Sequence, residues 1–240
     1  MNVRDAFYEV LRAHGISTIF GNPGSNEVPL LRDFPGDFRY ILALQEGAAI
    51  GMADGFAQAT ASPALVNPHA AADTGNAMGN LTNTQSGHVP VAVTSGQQAR
   101  RYTALNAMLT SVDAPKLAEP LVKWSNEPAR PQDVPQALSQ GILLASAAPA
   151  GPVYISLPLD DWDQEADVSA LGKPLPGPAT SVRPRPASRA GPGIPRSLRQ
   201  PYSAARKASI DPELASETQL RTNPRQPLDS NSKEDSLWRV

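Results

Sequence analysis

The chain has 240 residues, contains no cysteine and carries a formal net charge of −2. Without cysteine it cannot form a disulfide framework, a thiolate metal site or a cysteine nucleophile. It has no apolar run near the roughly 18 residues that a membrane-spanning helix needs, and its N-terminus does not resemble a signal peptide. We therefore expect a cytoplasmic protein that has no membrane partner.

The composition of the chain changes near residue 170. Residues 1–170 hold 9 Lys and Arg against 17 Asp and Glu, whereas residues 171–240 hold 12 against 6 and include 11 of the 25 prolines. The second segment has too little apolar side chain to offset the entropy of ordering a packed domain. We expect a folded domain over residues 1–167 and a disordered Arg/Pro/Ser-rich tail over 168–240. The arginines of the tail lie among prolines rather than aromatic residues, so nucleic acid is not an expected partner.

Strand and helix signals alternate along the first segment. A first helix begins after Asn2, whose side chain can cap it, and ends at Gly15. A second helix follows the turn 21–24, with Ser25 or Asn26 as its cap. Apolar runs predict strands over 17–20, 40–44, 63–67, 89–94 and 152–157. Further helices are predicted over 46–59, 74–84 and 131–146.

Apolar strands separated by helices indicate an α/β fold, in which right-handed β-α-β units build a parallel sheet with flanking helices. Ligands of such sheets bind beyond the carboxyl ends of the strands. The loops at that edge hold most of the unusual polar residues of the domain, and they are 21–25, 45–47, 68–75 and 95–98. The functional site is therefore expected at this edge.

Familiar phosphate and metal motifs are missing from the sequence. Neither G-x-G-x-x-G nor G-x-x-x-x-G-K-[ST] occurs. The three histidines, His14, His69 and His88, are far apart and show no H-E-x-x-H spacing, so no metal site is predicted. We interpret His14, at the end of the first helix, as structural.

Three polar residues at the expected edge are candidates for chemistry. Glu46 follows an apolar strand and opens a helix of small residues. Apolar surroundings raise the pKa of a carboxyl group and let it share a proton, whereas the alternative is a first-turn glutamate stabilised by the helix dipole. His69 either shuttles protons near neutral pH or caps the following turn. Ser25 either contacts a substrate or caps a helix.

Five stretches follow one another in the order IFGNPGSNE at 19–27, YILALQE at 40–46, GMADGFA at 51–57, TGNAMG at 74–79 and LVKW at 121–124. Together they resemble the N-terminal domain of the thiamine-diphosphate-dependent decarboxylases, of the benzoylformate decarboxylase type. The resemblance runs from about residue 2 to Asp163. It implies a pyrimidine-binding domain with a six-stranded parallel sheet, thiamine diphosphate as the cofactor and homo-oligomeric relatives.

The resemblance also implies roles for individual residues. A glutamate at the position of Glu46 hydrogen-bonds N1′ of the aminopyrimidine of the cofactor, which performs the decarboxylation of a 2-oxo acid. Ser25 contacts the carboxylate of the substrate, and His69 moves protons on the intermediate. The cofactor-binding residues implied in this way are Asn22, Pro23, Gly24, Glu46, Thr74, Gly75 and Asn76.

Two substitutions and one missing motif separate this chain from the family pattern. Pro68 stands where the family has leucine, and we expect it to shift His69. Asp73 stands where the family has glycine, and it is strained if that glycine has a positive φ. No Gly-Asp-Gly motif occurs, although in the family this motif binds Mg²⁺ and the diphosphate in a later domain.

These departures predict that the chain needs a diphosphate-binding domain from another chain and is inactive alone. An abrupt change of composition after Asp163 is also typical of a truncated or frameshifted product. A non-catalytic interaction module and a truncated acetolactate-synthase-like protein are the alternatives.

Overall fold

The computed structural model describes residues 1–167 of the chain. The tail predicted over 168–240 lies outside the described residues, so its disorder and its boundary stay predictions. The described part opens on α1 (Val3–Ala13), whose N-cap is Asn2, as the sequence predicts. The side chain of Asn2 accepts a hydrogen bond of 2.8 Å from the backbone N–H of Asp5.

One parallel sheet with flanking helices makes up the described residues, which confirms the predicted α/β fold. Its strands are β1 (Thr18–Asn22), β2 (Arg39–Leu42), β3 (Ala64–Pro68), β4 (Val91–Gln97), β5 (Ser125–Asn126) and β6 (Val153–Pro158). They pair in the order β2-β1-β3-β4-β6-β5, and every pairing is parallel. After α1 come the helices α2 (Val28–Leu31), α3 (Glu46–Thr60), α4 (Ala72–Ser86), α5 (Arg100–Thr103), α6 (Ala114–Ala118) and α7 (Val134–Ser146).

Helices cover both faces of the sheet, which explains why the strands are apolar without alternation. One core cluster packs α1 and α7 against the sheet, with Phe7 and Leu138 among its fully buried side chains. The other packs α3 and α4 against the opposite face, around Ile50 and Leu81. Successive strand residues alternate between the clusters, since Ile19 belongs to the first and Phe20 to the second.

The strands differ from their predictions at three points, two of which lie at the rim of the sheet. The run 40–44 was predicted as a buried strand, but β2 is an edge strand, and Leu42 and Leu44 are 61% and 92% exposed. The resemblance implies a sixth strand, but the sequence pattern does not locate the short polar strand β5, because two polar residues carry no hydrophobic pattern. Strand β4 also runs on to Gln97, so most of the predicted loop 95–98 is strand.

We predict that the stability of the domain depends on the cluster behind α1. Leu11→Ala should lower the free energy of unfolding by about 3 kcal/mol, because Leu11 is fully buried and its truncation leaves a cavity. Leu44→Ala makes the same chemical change at an exposed position and should cost less than about 0.5 kcal/mol. Urea unfolding followed by circular dichroism measures both, and equal losses would contradict the described packing.

Candidate functional site

Glu46 is buried at the carboxyl edge of the sheet, where β1, α3 and α4 meet. Gln45 caps α3 by accepting a 2.9 Å hydrogen bond from the N–H of Ala48, which sets Glu46 in the first turn of the helix. Only 2% of Glu46 is exposed. The helix dipole favours an acidic side chain in the first turn of α3, whereas removal from water is unfavourable for a carboxylate, so Glu46 needs hydrogen-bond donors around it.

Two side-chain amides hold the carboxylate of Glu46. Nδ2 of Asn22, at the end of β1, donates to Oε1 over 2.6 Å, and Nδ2 of Asn76, in α4, donates to Oε2 over 3.2 Å. Each carboxylate oxygen has two lone pairs, so both oxygens keep acceptor capacity after these contacts. The arrangement orients a buried carboxyl group and leaves it able to bind one more partner.

His69 forms a second buried pair with an acid that the sequence analysis did not single out. Nδ1 of His69 lies 2.7 Å from Oε2 of Glu27, and Glu27 is 1% exposed. The hydrogen bond with Glu27 raises the pKa of His69 against the lowering effect of burial, and the nearby charges of Asp73 and Glu46 raise it further. His69 is therefore biased toward its protonated form by an acidic environment.

The turn before α2 is not capped by the residues that the sequence predicts, and Ser25 is exposed. The predicted caps Ser25 and Asn26 are wrong, because the N-cap residue is Glu27 and its side chain makes no capping bond. Instead Oε2 of Glu27 turns back and accepts a 2.8 Å hydrogen bond from the N–H of Gly24. Ser25 is exposed, and its hydroxyl makes no hydrogen bond within residues 1–167. A ligand at this edge can reach that hydroxyl.

The backbone of His69 is fixed by a chain of hydroxyl groups. Oγ of Ser95, on β4, donates 2.8 Å to the carbonyl oxygen of His69 and lies 2.7 Å from Oγ1 of Thr74. Thr74 is fully buried. The alternative that His69 caps the turn after β3 does not hold, because the imidazole is hydrogen-bonded to Glu27 instead.

Three of the implied cofactor-binding residues lie at the start of a helix, as the prediction of a helix over 74–84 requires. Thr74, Gly75 and Asn76 all lie in the first turns of α4, and among them Asn76 contacts Glu46. The strain expected at Asp73 falls instead on Ala71, which has φ 46°, whereas Asp73 has no positive φ. Partial burial and the charge of Glu46 raise the pKa of Asp73.

Strand β3 ends at Pro68, which pairs with Asn22 and leads directly into His69. Pro23 continues the chain from Asn22 into the Gly24 turn. Gln97, from the fourth predicted loop, is buried elsewhere, where its Nε2 donates to the carbonyl of Ser111 over 2.9 Å and to Glu127 Oε2 over 3.0 Å. Three of the four predicted loop regions therefore meet around Glu46 and His69, and the fourth contributes through Ser95.

Neither a metal site nor a membrane span is found in the part of the chain that the structure describes. Within residues 1–167, no three histidine or acidic side chains are grouped so that they could hold a metal ion. None of the helices in the same range is both long and apolar enough to cross a membrane.

Comparison with known proteins identifies the domain. Residues 1–117 match the family model of the thiamine pyrophosphate enzyme N-terminal TPP-binding domain. Residues 1–117 therefore belong to the N-terminal TPP-binding domain that the thiamine pyrophosphate enzymes share. This confirms the resemblance inferred from the five sequence stretches.

The relatives of this thiamine pyrophosphate enzyme domain include decarboxylases and synthases. The chain is 57% identical over 185 residues to a benzoylformate decarboxylase of Pseudomonas aeruginosa, covering 74% of this chain and 35% of the relative. It is 28% identical over 200 residues to an acetolactate synthase of Arthrospira platensis, covering 81% of this chain and 33% of the relative.

A solved structure of the same family has the same fold. The thiamine diphosphate-dependent 4-hydroxybenzoylformate decarboxylase of Rhodococcus jostii RHA1 superposes with a TM-score of 0.71 at 49% identity, covering 73% of this chain and 34% of that one. The chain thus spans about a third of the length of the relatives it matches.

We predict that the pairing of His69 makes the stability of the domain depend on pH. The pKa of His69 is raised in the folded state. Its contribution to the free energy of unfolding is therefore complete below the ordinary histidine pKa of about 6.5, and it is lost as pH rises through the pKa of the folded state. The difference in unfolding free energy between the wild type and His69→Gln should therefore shrink from pH 6 toward pH 8. Urea unfolding across that range measures it, and a difference that grows with pH would contradict the geometry.

Proposed function

We propose that the edge between β1, α3 and α4 binds the aminopyrimidine ring of thiamine diphosphate, with Glu46 as the residue that meets N1′. The observation that carries this proposal is the buried carboxyl group of Glu46, held by Asn22 and Asn76. As a carboxylate it can accept one more hydrogen bond, and as a protonated acid it can donate one. A ring nitrogen that exchanges a proton is a suitable partner for such a group. Membership of the thiamine pyrophosphate enzyme family supports the same assignment.

The residues around Glu46 fit this role. The amides of Asn22 and Asn76 orient the carboxyl group, and burial excludes water from it, so that a proton held at Glu46 is shared with the ring rather than with solvent. When bound, the cofactor supplies the electron-accepting chemistry by which a 2-oxo acid loses CO₂. Pro23, Gly24, Thr74 and Gly75 complete the proposed binding residues by shaping the turn and the start of α4.

Ser25 and His69 are proposed to act on the substrate. The exposed hydroxyl of Ser25 is available to donate to the carboxylate of a 2-oxo acid, since it has no competing partner within residues 1–167. The imidazole of His69, with its raised pKa, is able to hold a proton near neutral pH and to exchange it with the reacting substrate. The higher identity to a benzoylformate decarboxylase than to an acetolactate synthase favours decarboxylation of a benzoylformate-type acid.

The diphosphate and Mg²⁺ are proposed to bind to a separate domain. The sequence contains no Gly-Asp-Gly motif, and the described site groups Glu27, Glu46 and Asp73 around a single histidine. Such an acidic edge repels a diphosphate. One hydrogen bond at Glu46 is worth about 1.5–3 kcal/mol, and together with apolar contacts of the ring it only just offsets association costs of about 4 kcal/mol or more. We infer that the 240-residue chain alone binds the cofactor weakly and does not decarboxylate.

A chimeric enzyme tests the proposed role of Glu46. Residues 1–158 of this chain would replace the matching segment of the Pseudomonas aeruginosa relative, and decarboxylation of benzoylformate would be assayed with thiamine diphosphate and Mg²⁺. We expect an active chimera and a loss of about 100-fold or more in kcat/KM for its Glu46→Gln variant, because the shared proton is removed. Glu119→Gln, at an exposed glutamate, is the matched control and should leave kcat/KM unchanged.

An inactive parent chimera that still folds would count against the proposed function, because it would show that this domain does not complete the site. Full activity in the Glu46→Gln chimera would contradict the role of Glu46 even if the parent were active.

A further inference from the structure

Glu27 is buried, and its hydrogen bonds do not fully offset the free-energy cost of removing its carboxylate from water. It is 1% exposed, and its Oε2 accepts from the N–H of Gly24 and contacts Nδ1 of His69. Its other oxygen, Oε1, is buried and has no hydrogen-bond partner within residues 1–167. Burial of a carboxylate is unfavourable unless it is paired, so the pairing with His69 is the contact that holds this group inside the domain.

Two glycines make room for the pair. A Cβ atom on Gly24 would lie 2.6 Å from the ring atoms of His69, so the imidazole packs directly on the backbone of the turn. A Cβ atom on Gly96, in β4, would overlap Oε1 of Glu27. Any larger residue at either position would push the histidine or the carboxylate away. The backbone is therefore built around the contact between Glu27 and His69.

We propose that Glu27 is a positioning residue for His69. Glu27 accepts a hydrogen bond from Nδ1–H of His69 and so leaves Nε2 as the nitrogen that exchanges protons. A carboxylate has no hydrogen to donate, so at 2.7 Å the contact requires the proton on Nδ1. The assignment of Nε2 to the substrate rests on the proposed function, whereas the tautomer itself does not.

The same carboxylate oxygen joins two parts of the proposed substrate site. By accepting from the N–H of Gly24, Oε2 of Glu27 holds the turn that carries Ser25, and by accepting from His69 it holds the end of β3. The backbone of the turn next to Ser25 and the imidazole of His69 are thus tied to the same carboxylate oxygen. A residue of this kind acts through its neighbours and does not itself contact the substrate.

Three acidic groups face His69, but only Glu27 is hydrogen-bonded to it. Asp73, in the first turn of α4, and Glu46, in the first turn of α3, act on His69 through their charges alone. Asp73→Asn therefore removes a nearby charge without removing a hydrogen bond. It is the matched control for Glu27→Gln, which removes both the charge and the strong acceptor while keeping the shape of the side chain.

The experiment is a ¹⁵N NMR titration of the full 240-residue chain with labelled histidine and no cofactor. The chain has three histidines, and His69→Gln identifies the signal of His69. In the wild type we expect the neutral form of His69 to be protonated at Nδ1 and its pKa to lie above the ordinary histidine range. Glu27→Gln should remove this elevation, and Asp73→Asn should lower the pKa by a smaller amount. Circular dichroism checks that each variant is folded.

A neutral wild-type His69 protonated at Nε2 would overturn the proposal, and so would equal pKa changes in Glu27→Gln and Asp73→Asn. If Glu27→Gln fails to fold, Gly96→Ala decides, because it displaces Oε1 and keeps the charge. Loss of the Nδ1–H preference in Gly96→Ala supports the proposal, and its retention contradicts it. Since no cofactor is present, a domain that fails to bind thiamine diphosphate would still give either result.

Discussion

The enclosure of carboxylates at the carboxyl edge of a parallel sheet is the constraint on which the rest of this structure depends. Glu27 and Glu46 are both almost fully buried there, and each is held by groups that donate hydrogen bonds. Removal from water is unfavourable for such groups, so their partners must come from several elements at once. Strands β1 and β3 and helices α3 and α4 are therefore tied together by the site as well as by the apolar core.

Local sequence patterns predict most of the helices and strands, but they do not predict which strand lies at the edge of the sheet. Continuous apolar runs predicted β3, β4 and β6 because helices cover both faces of those strands. The run 40–44 looks the same in sequence, yet β2 is an edge strand with Leu44 exposed, since only the order of the whole sheet determines which strand lies at its rim. The polar strand β5 exists through its pairing with β6 and leaves no pattern of its own.

The candidate site was partly predictable for a similar reason. Glu46 could be singled out because an acid between a hydrocarbon strand and a small-residue helix is unusual at that position of the fold. Glu27 was missed, since its neighbours Ser25 and Asn26 are better helix caps in sequence terms and its partner His69 is 42 residues away. Glu27, Glu46 and Asp73 meet His69 only through tertiary structure. The positive φ that the sequence suggested for Asp73 occurs at Ala71 instead.

The most direct test of the central claim, that Glu46 is reserved for an aminopyrimidine ring, uses thiamine without its diphosphate at millimolar concentration. Chemical shifts of the side-chain amides of Asn22 and Asn76 would be followed by ¹H–¹⁵N NMR of the full chain. We expect both amides to shift in a saturable way, and Glu46→Gln to abolish the effect. Unperturbed amides in the wild type, or equal saturable shifts in Glu46→Gln, would contradict the claim.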